Sequence, residues 1–243
     1  MEGNNGAGAG VTNVPPGTCG DFDGDGLIGT AEDTDNSTDR IFGTIAAALA
    51  SASGAANQNG SVIIVTSGRF AESFTITAAN GNVVLEAAQG VEASIDAVLG
   101  GDANNATRQH LPGITVNAPA DRRVTLRNLV VRNWTDGIRV EGNSHVSITD
   151  CVVENNRDHG IHVLGAAMTA IFRCQIVGSG FRSGSGVNNT PAPGFAVQFE
   201  GTSSGVVAFS LISGSFAGGI VNSTGAATAI DPFALSRYRR RAA

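Results

Sequence analysis

The stretch Asp136–Glu154, DGIRVEGNSHVSITDCVVE, holds three brief alternations of apolar and polar residues. In the first, Ile138 and Val140 point one way and Arg139 the other. In the second, Val146 and Ile148 share a side, and in the third Cys151 and Val153 do. The pattern repeats along the chain. GITV at Gly113, GIRV at Gly137 and GIHV at Gly160 stand 24 and 23 residues apart, and VQFEG at Val197 and GIVNS at Gly219 continue the series. A second set keeps step with it: VTLRNLVV from Val124, VSITDCVV from Val146, TAIFRCQIV from Thr169 and VVAFSLIS from Val206.

Three strands per repeat of about 23 residues, with one face apolar at the same offsets each time, predict an all-β, right-handed parallel β-helix. Stacked turns share a continuous core, whereas a sandwich would require hairpin connections, and Asn-Gly pairs are not the rule here. Glycine is abundant at 33 residues and charged residues make up only 15%, which favours short strands and tight turns over packed helices. Upstream, Ile41–Ala52 reads as an alanine-rich capping helix, followed by strands at Val62–Val65 and Phe74–Ile76. Downstream, Asp231 as N-cap and Pro232 at the first helical position predict a short C-terminal helix that covers the last rung with Phe233. The chain divides into a flexible segment 1–20, an acidic loop segment 21–37, the β-helix with its cap over 38–230, and a C-terminal cap with a basic tail over 231–243.

With FGTIAAALASA from Phe42, GSVIIVTSGRFAESFTI from Gly60, VTLRNLVVRN from Val124 and DGIRV from Asp136, the chain resembles the pectin-lyase-like superfamily. The resemblance is to its short-repeat branch, found in carbohydrate-binding and sugar-hydrolase proteins, and spans roughly residues 38 to 225. It implies the β-helix fold and a glycan as partner. It does not single out an activity, because lyases, hydrolases, epimerases and adhesins share the fold. The aspartate-rich constellation of the polygalacturonases and the tryptophan- and arginine-bearing motifs of the pectate lyases are absent.

The formal charge is −6, and between Asp21 and Asp39 lie seven acids and no base. Within that run DFDGDGLIGTAE sets Asp21, Asp23 and Asp25 at positions one, three and five of a twelve-residue loop. Leu27 offers its carbonyl at seven and Glu32 a bidentate carboxylate at twelve, a spacing that suits calcium. The loop resembles those of EF-hand, dockerin and thrombospondin-type repeats. VPPGTCG before it is not a helix, so the expected role of calcium is structural; the other reading of the run is a solvated acidic linker between the N-terminus and the helical cap. The basic residues are scattered until the tail RYRRRAA, which excludes a nucleic-acid footprint, and no apolar run is long enough for a transmembrane segment. The expected setting is extracellular or cell-surface, with a leader not present in this chain.

Aligned rungs stack Arg139, His162, Gln198 and Val221 outside the first sheet, followed by Glu141, Leu164 and Glu200. The turn entering that sheet adds Trp134, Asp136, Arg157, Asp158 and His159. One turn is longer: Cys174 to Ser210 is 36 residues, and the surplus GSGFRSGSGVNNTPAPGF just before Val197 brings Phe181 and Arg182 near His162 as one wall of a groove. A lyase would use His162 or His159 as base and Arg139, Arg157 or Arg182 as carboxylate clamp. A hydrolase would take two carboxyls from Asp136, Asp158, Glu141 and Glu200. Trp134, the only tryptophan, is a candidate platform for a sugar ring, with Gln198 and Glu200 as hydrogen-bonding partners. The other reading of the same residues is a solvated sheet face. The expected role is therefore a non-catalytic, glycan-contacting or self-assembling scaffold stabilised by calcium, with self-association along the solenoid axis. The alternative is a polysaccharide lyase or glycoside hydrolase acting on an acidic glycan in the groove of the first sheet. Cys151 and Cys174 occupy the same inward offset of successive rungs.

Overall fold

The structure, a computed structural model, describes residues 11–12, 27–28, 44–51, 59–80, 82–98, 109–180, 194–215, 218–222, 227–230 and 235–237. Three parallel sheets run the length of these residues, with six, seven and seven strands. Sheet one contains Phe74–Thr77, Ile114–Asn117, Asp136–Val140, His159–Val163, Phe195–Phe199 and Gly218–Asn222 in that order. Sheet two runs from Asn59–Ile64 to Ala227–Ile230, and sheet three from Gly68–Phe70 to Leu235–Arg237. Each rung visits the three sheets in turn, so every strand pairs with the equivalent strand of the next rung. The fold is the right-handed parallel β-helix that the repeat predicts.

The core is built of columns. Leu126, Ile148, Ile171 and Val207 are register partners across four rungs, and all are fully buried. Each such side chain stabilises the fold by about 1.5–3 kcal/mol relative to exposure. The columns also compensate in volume. Phe199 succeeds Val163 in sheet one, and the neighbouring sheet-two position is Gly205, where an added Cβ would lie 2.4 Å from the Phe199 ring. The glycine of the repeated G-I-x-V motif is explained similarly: at Gly137 an added Cβ would lie 2.6 Å from the Asn156 side chain and 2.7 Å from the Gly160 carbonyl. Cys151 and Cys174 are buried free thiols in this interior, as their shared offset predicts.

The corners repeat in backbone conformation, not in residue type. Between sheets two and three, Asn128, Asp150, Arg173 and Phe209 all have φ between 51° and 56°. No asparagine ladder is sustained there, yet the left-handed turn is. Asparagine tolerates it, but arginine and phenylalanine are held in it at a cost of about 1–2 kcal/mol each. Parallel hydrogen bonding carried through the corner imposes the shape: Asn128 N donates to Thr149 O at 3.1 Å, Asp150 N to Phe172 O at 3.1 Å and Arg173 N to Ala208 O at 3.2 Å.

The N-terminal helix is described over Ile45–Ser51 and starts after Thr44, later than the expected Ile41. Thr44 caps it, accepting from Ala47 N at 3.1 Å, and the Glu72 carboxylate accepts from Ile45 N and Ala46 N at 3.2 and 3.1 Å. Ile45, Ala48 and Leu49 are buried at the end of the stack. At the other end the expected helix is corrected. Leu235–Arg237 is a strand beside Leu211–Ser213, which corrects the helix expected over those three residues; Asp231, Pro232 and Phe233 lie outside the described residues. Hydrogen bonding to an available strand edge outweighs a short helix with no tertiary partner of its own.

Sheet three carries a buried carboxylate of structural type. Asp96 accepts from Arg132 Nε at 2.9 Å, Asn133 Nδ2 at 2.7 Å and its own loop's Val98 N at 2.9 Å, with Arg69 Nε at 3.3 Å. Every ligand of this carboxylate is a permanent donor.

Candidate functional site

Sheet one places Thr115, Arg139, His162, Gln198 and Val221 at matched positions across five strands, as the alignment of rungs predicts. Asp136 and His159 are register partners at the starts of adjacent strands. Strict alternation would put them on the side of Ile138 and Ile161. They instead meet the outer file. His159 Nδ1 lies 2.9 Å from Asp136 Oδ1, and His162 Nδ1 lies 3.3 Å from Asp136 Oδ2. The two imidazole centroids are 4.4 Å apart, and Phe195 stacks on His159 with centroids at 6.2 Å.

Carboxylates surround this pair. Glu200 Oε2 faces His162 Nε2 at 3.5 Å, and Gln198 Nε2 donates to Glu200 Oε1. Arg139 is shared, with Nε donating to Glu141 Oε2 at 3.0 Å and Nη1 lying 3.8 Å from Asp136 Oδ2. Asn117 Nδ2 adds a bond to Glu141 Oε1 at 3.1 Å. Asp136 is 4% exposed, and His162 and Gln198 are 9% exposed, so this is not a freely solvated sheet face. Burial raises the Asp136 pKa, but hydrogen bonds from His159 and His162 outweigh it and hold the carboxyl well below the usual carboxylate range. Three carboxylates thus stand around one guanidinium and two imidazoles.

One atom in the cluster is mismatched. His162 Nε2 is buried and makes no hydrogen bond. If Nδ1 carries the proton shared with Asp136, the Nε2 lone pair points at the Glu200 carboxylate. A proton on both nitrogens removes that conflict, as does an electropositive group in place of the Nδ1 proton with the proton moved to Nε2.

The remaining predicted residues divide. Trp134 is fully buried, with its indole N–H donating to Ile95 O at 2.9 Å, so the expectation of a sugar-stacking platform is corrected. Its sequence position beside a turn suggested exposure, but the corner turns the ring inward, where Asn156 Oδ1 accepts from the Trp134 backbone at 3.1 Å. Arg157 and Asp158 lie in the turn before His159, their backbone N–H groups donating to Trp134 O at 2.7 Å and Thr135 O at 2.8 Å. Arg182 lies outside the described residues, as do Phe181 and most of the long loop. Gly180 and Gly194, which flank that loop, touch each other. Asp21, Asp23, Asp25 and Glu32 also lie outside the described residues; Leu27 is described only within the strand Leu27–Ile28, antiparallel to Val11–Thr12. Phe195 is a site residue that sequence reading missed, although aligning Val197 with Ile161 places it opposite His159.

A groove of about 630 Å³ lies elsewhere, on the outer face of sheet two, lined among others by Arg123, His145, Met168, Ala170 and Val206. Met168 is 51% exposed there. This face brings together no group of titratable side chains comparable to that on sheet one, and we assign it no chemistry. Among the described residues, no helix is long and apolar enough to cross a membrane.

Residues 112–230 match the family model described as a right handed beta helix region. No curated protein and no solved structure matches the chain. The matched span contains every described member of the sheet-one cluster.

Proposed function

We propose that this chain is a structural, glycan-contacting β-helix of pectin-lyase-like type, and that its contact face is the outer surface of sheet one. The observation that carries the reading is the file Arg139, His162 and Gln198, one planar polar side chain per rung, bordered by Glu141 and Glu200. Strands of neighbouring rungs lie roughly 4.8 Å apart, close to the advance of a polysaccharide by one sugar unit. A glycan laid along the axis therefore meets a planar hydrogen-bonding group at each of three successive rungs. Planar amide, carboxylate and guanidinium groups bridge adjacent hydroxyls through paired hydrogen bonds. With Trp134 buried, recognition rests on these bonds and not on stacking at that ring. The calcium loop belongs to the same proposal, supported by its carboxylate spacing, and an extracellular or cell-surface setting would supply the ion.

A second reading, that the same face cleaves the glycan it holds, is favoured by the Asp136–His159 contact at 2.9 Å. A carboxylate on Nδ1 fixes an imidazole with Nε2 as acceptor, the arrangement of a general base. Asp136 is then a positioning residue, because its oxygens are committed to the two histidines. Removing a proton next to a sugar carboxylate would make this a lyase, and two unengaged carboxyls would be needed for a hydrolase. The excess of carboxylates over arginines weakens the case for an acidic glycan unless a further cation joins the site.

The test is a panel of neutral and acidic polysaccharides assayed for binding, for unsaturated products and for new reducing ends. Binding without products, lost in Arg139→Ala and Gln198→Ala, supports the contact face. Products that disappear in His159→Ala support the lyase or hydrolase. Absence of both on every glycan overturns the assignment of sheet one.

A further inference from the structure

We infer that Asp136, His159 and His162 form a binding site for one divalent transition-metal ion of borderline softness, such as Zn²⁺ or Co²⁺. Each residue offers one donor atom, and the three donors lie within 4.8 Å of one another. Two donors held on one ion by bonds of about 2.0–2.2 Å stand roughly 3–4 Å apart. Both Nδ1 atoms meet that spacing from the Asp136 carboxylate, at 2.9 and 3.3 Å. Two imidazoles and one carboxylate favour such an ion over calcium, which takes oxygen ligands in greater number.

The mismatched nitrogen supplies the independent argument. Ligation through Nδ1 moves the imidazole proton to Nε2, with no net proton gained or lost by a neutral ring. In His162 that proton then faces Glu200 Oε2, now 3.5 Å from a bare lone pair. Metal-bound histidines commonly give their second N–H to a carboxylate, which fixes the tautomer and strengthens the ligand. Gln198 in turn holds Glu200 by donating to its other oxygen. The nearby Arg139 does not oppose the ion strongly, because its Nε is paired with Glu141 at 3.0 Å. Register explains how the donors assemble: Asp136 and His159 are cross-strand partners, and His162 lies three residues beyond His159 on the same strand. Three protein donors leave room in the coordination sphere for water or a ligand oxygen. Metal binding does not depend on the glycan reading, and it would supply the missing cation if the glycan were acidic.

The experiment uses the full chain, freed of metal by dialysis against chelator and then titrated with Zn²⁺ and Co²⁺. Equilibrium dialysis with elemental analysis should give one ion per chain, and Co²⁺ should develop visible absorption of nitrogen-ligated cobalt. Asp136→Asn and His162→Gln should each weaken binding at least 30-fold, and Glu200→Gln about 10-fold through the outer hydrogen bond. Excess Ca²⁺ should leave the cobalt spectrum unchanged, separating this site from the loop at Asp21–Glu32. On the unsubstituted protein, nitrogen NMR should show the His162 proton on Nε2 once Zn²⁺ is bound, a readout that holds even if a variant fails to fold. Lack of saturable binding overturns the inference. Displacement by Ca²⁺, or a His162 proton that stays on Nδ1 in the presence of Zn²⁺, does so as well.

Discussion

Asp96 and Asp136 are both buried carboxylates at strand ends of the same solenoid, yet they are satisfied in opposite ways. Asp96, on sheet three, is held by Arg132, Asn133, Arg69 and a backbone N–H. None of these donors changes charge or tautomer at ordinary pH, so the cluster has one state. Asp136, on sheet one, is held by two imidazoles, whose ring nitrogens donate or accept according to the tautomer. Its neighbourhood therefore has several states, and one of them leaves His162 Nε2 against a carboxylate. Burial alone does not separate a carboxylate whose partners have one hydrogen-bonding state from one whose partners have several. The kind of donor does.

The largest effect that tests this contrast is on stability. Asp96→Ala should cost about 3–5 kcal/mol, because it strands buried donors and leaves Arg132 without its main partner. Asp136→Asn should cost about 1–2 kcal/mol, since an amide still occupies the space and accepts one bond. Urea midpoints compared at constant slope decide the matter, and reversal of that order would break the comparison.

Trp134→Phe comes next. Losing the indole N–H leaves Ile95 O unpaired and should cost about 1–2 kcal/mol, with glycan and metal binding unchanged. Impaired binding would mean that the ring takes part in the site despite its burial. A smaller effect concerns acid. The Asp136 carboxyl is held below its ordinary range in the folded state, so the stability it contributes is present above about pH 4, the unfolded value. It is lost as pH falls below that toward the folded pKa. Metal-free protein should therefore lose stability on acidification more steeply than Asp136→Asn does, measured by denaturation at several pH values below 4.

The smallest and most local effect extends the contrast to the carboxylates of Asp21–Glu32, proposed above to hold calcium. Chelation of calcium should speed proteolytic cleavage within residues 10–40 and lower the melting temperature by only a few degrees, given that a bound ligand contributes by mass action. If protease resistance and melting temperature both ignore calcium, the loop reading is wrong.

Much of the solenoid was legible because stacking forces equivalent residues of each rung into the same environment. Ile138 aligned with Ile161, and Arg139 with His162, identify register pairs from the sequence alone. The outer file of sheet one followed directly from that alignment. What was not legible lies at corners. Alternation says nothing of Trp134 turning inward or of Asp136 swinging toward His162, because a corner breaks the two-residue period that carries the signal. The C-terminal segment misled for a related reason: Asp231 and Pro232 are good helix-start signals, but local propensity is weak against an unpaired strand edge. The left-handed corners were hidden too, since Arg173 and Phe209 give no hint of a positive φ that their neighbours impose.

The contact between Gly180 and Gly194 has a consequence for how such a molecule can change over time. Gly180 and Gly194 meet at essentially one point, and the strands on either side keep their register, Ile161 with Val197 and His162 with Gln198. That junction works as a socket: what is plugged into it can be lengthened, shortened or exchanged without renegotiating the interior, because closing a longer loop costs only about 0.6 kcal/mol per doubling. A lineage of such proteins could vary this one insert while inheriting the scaffold unaltered.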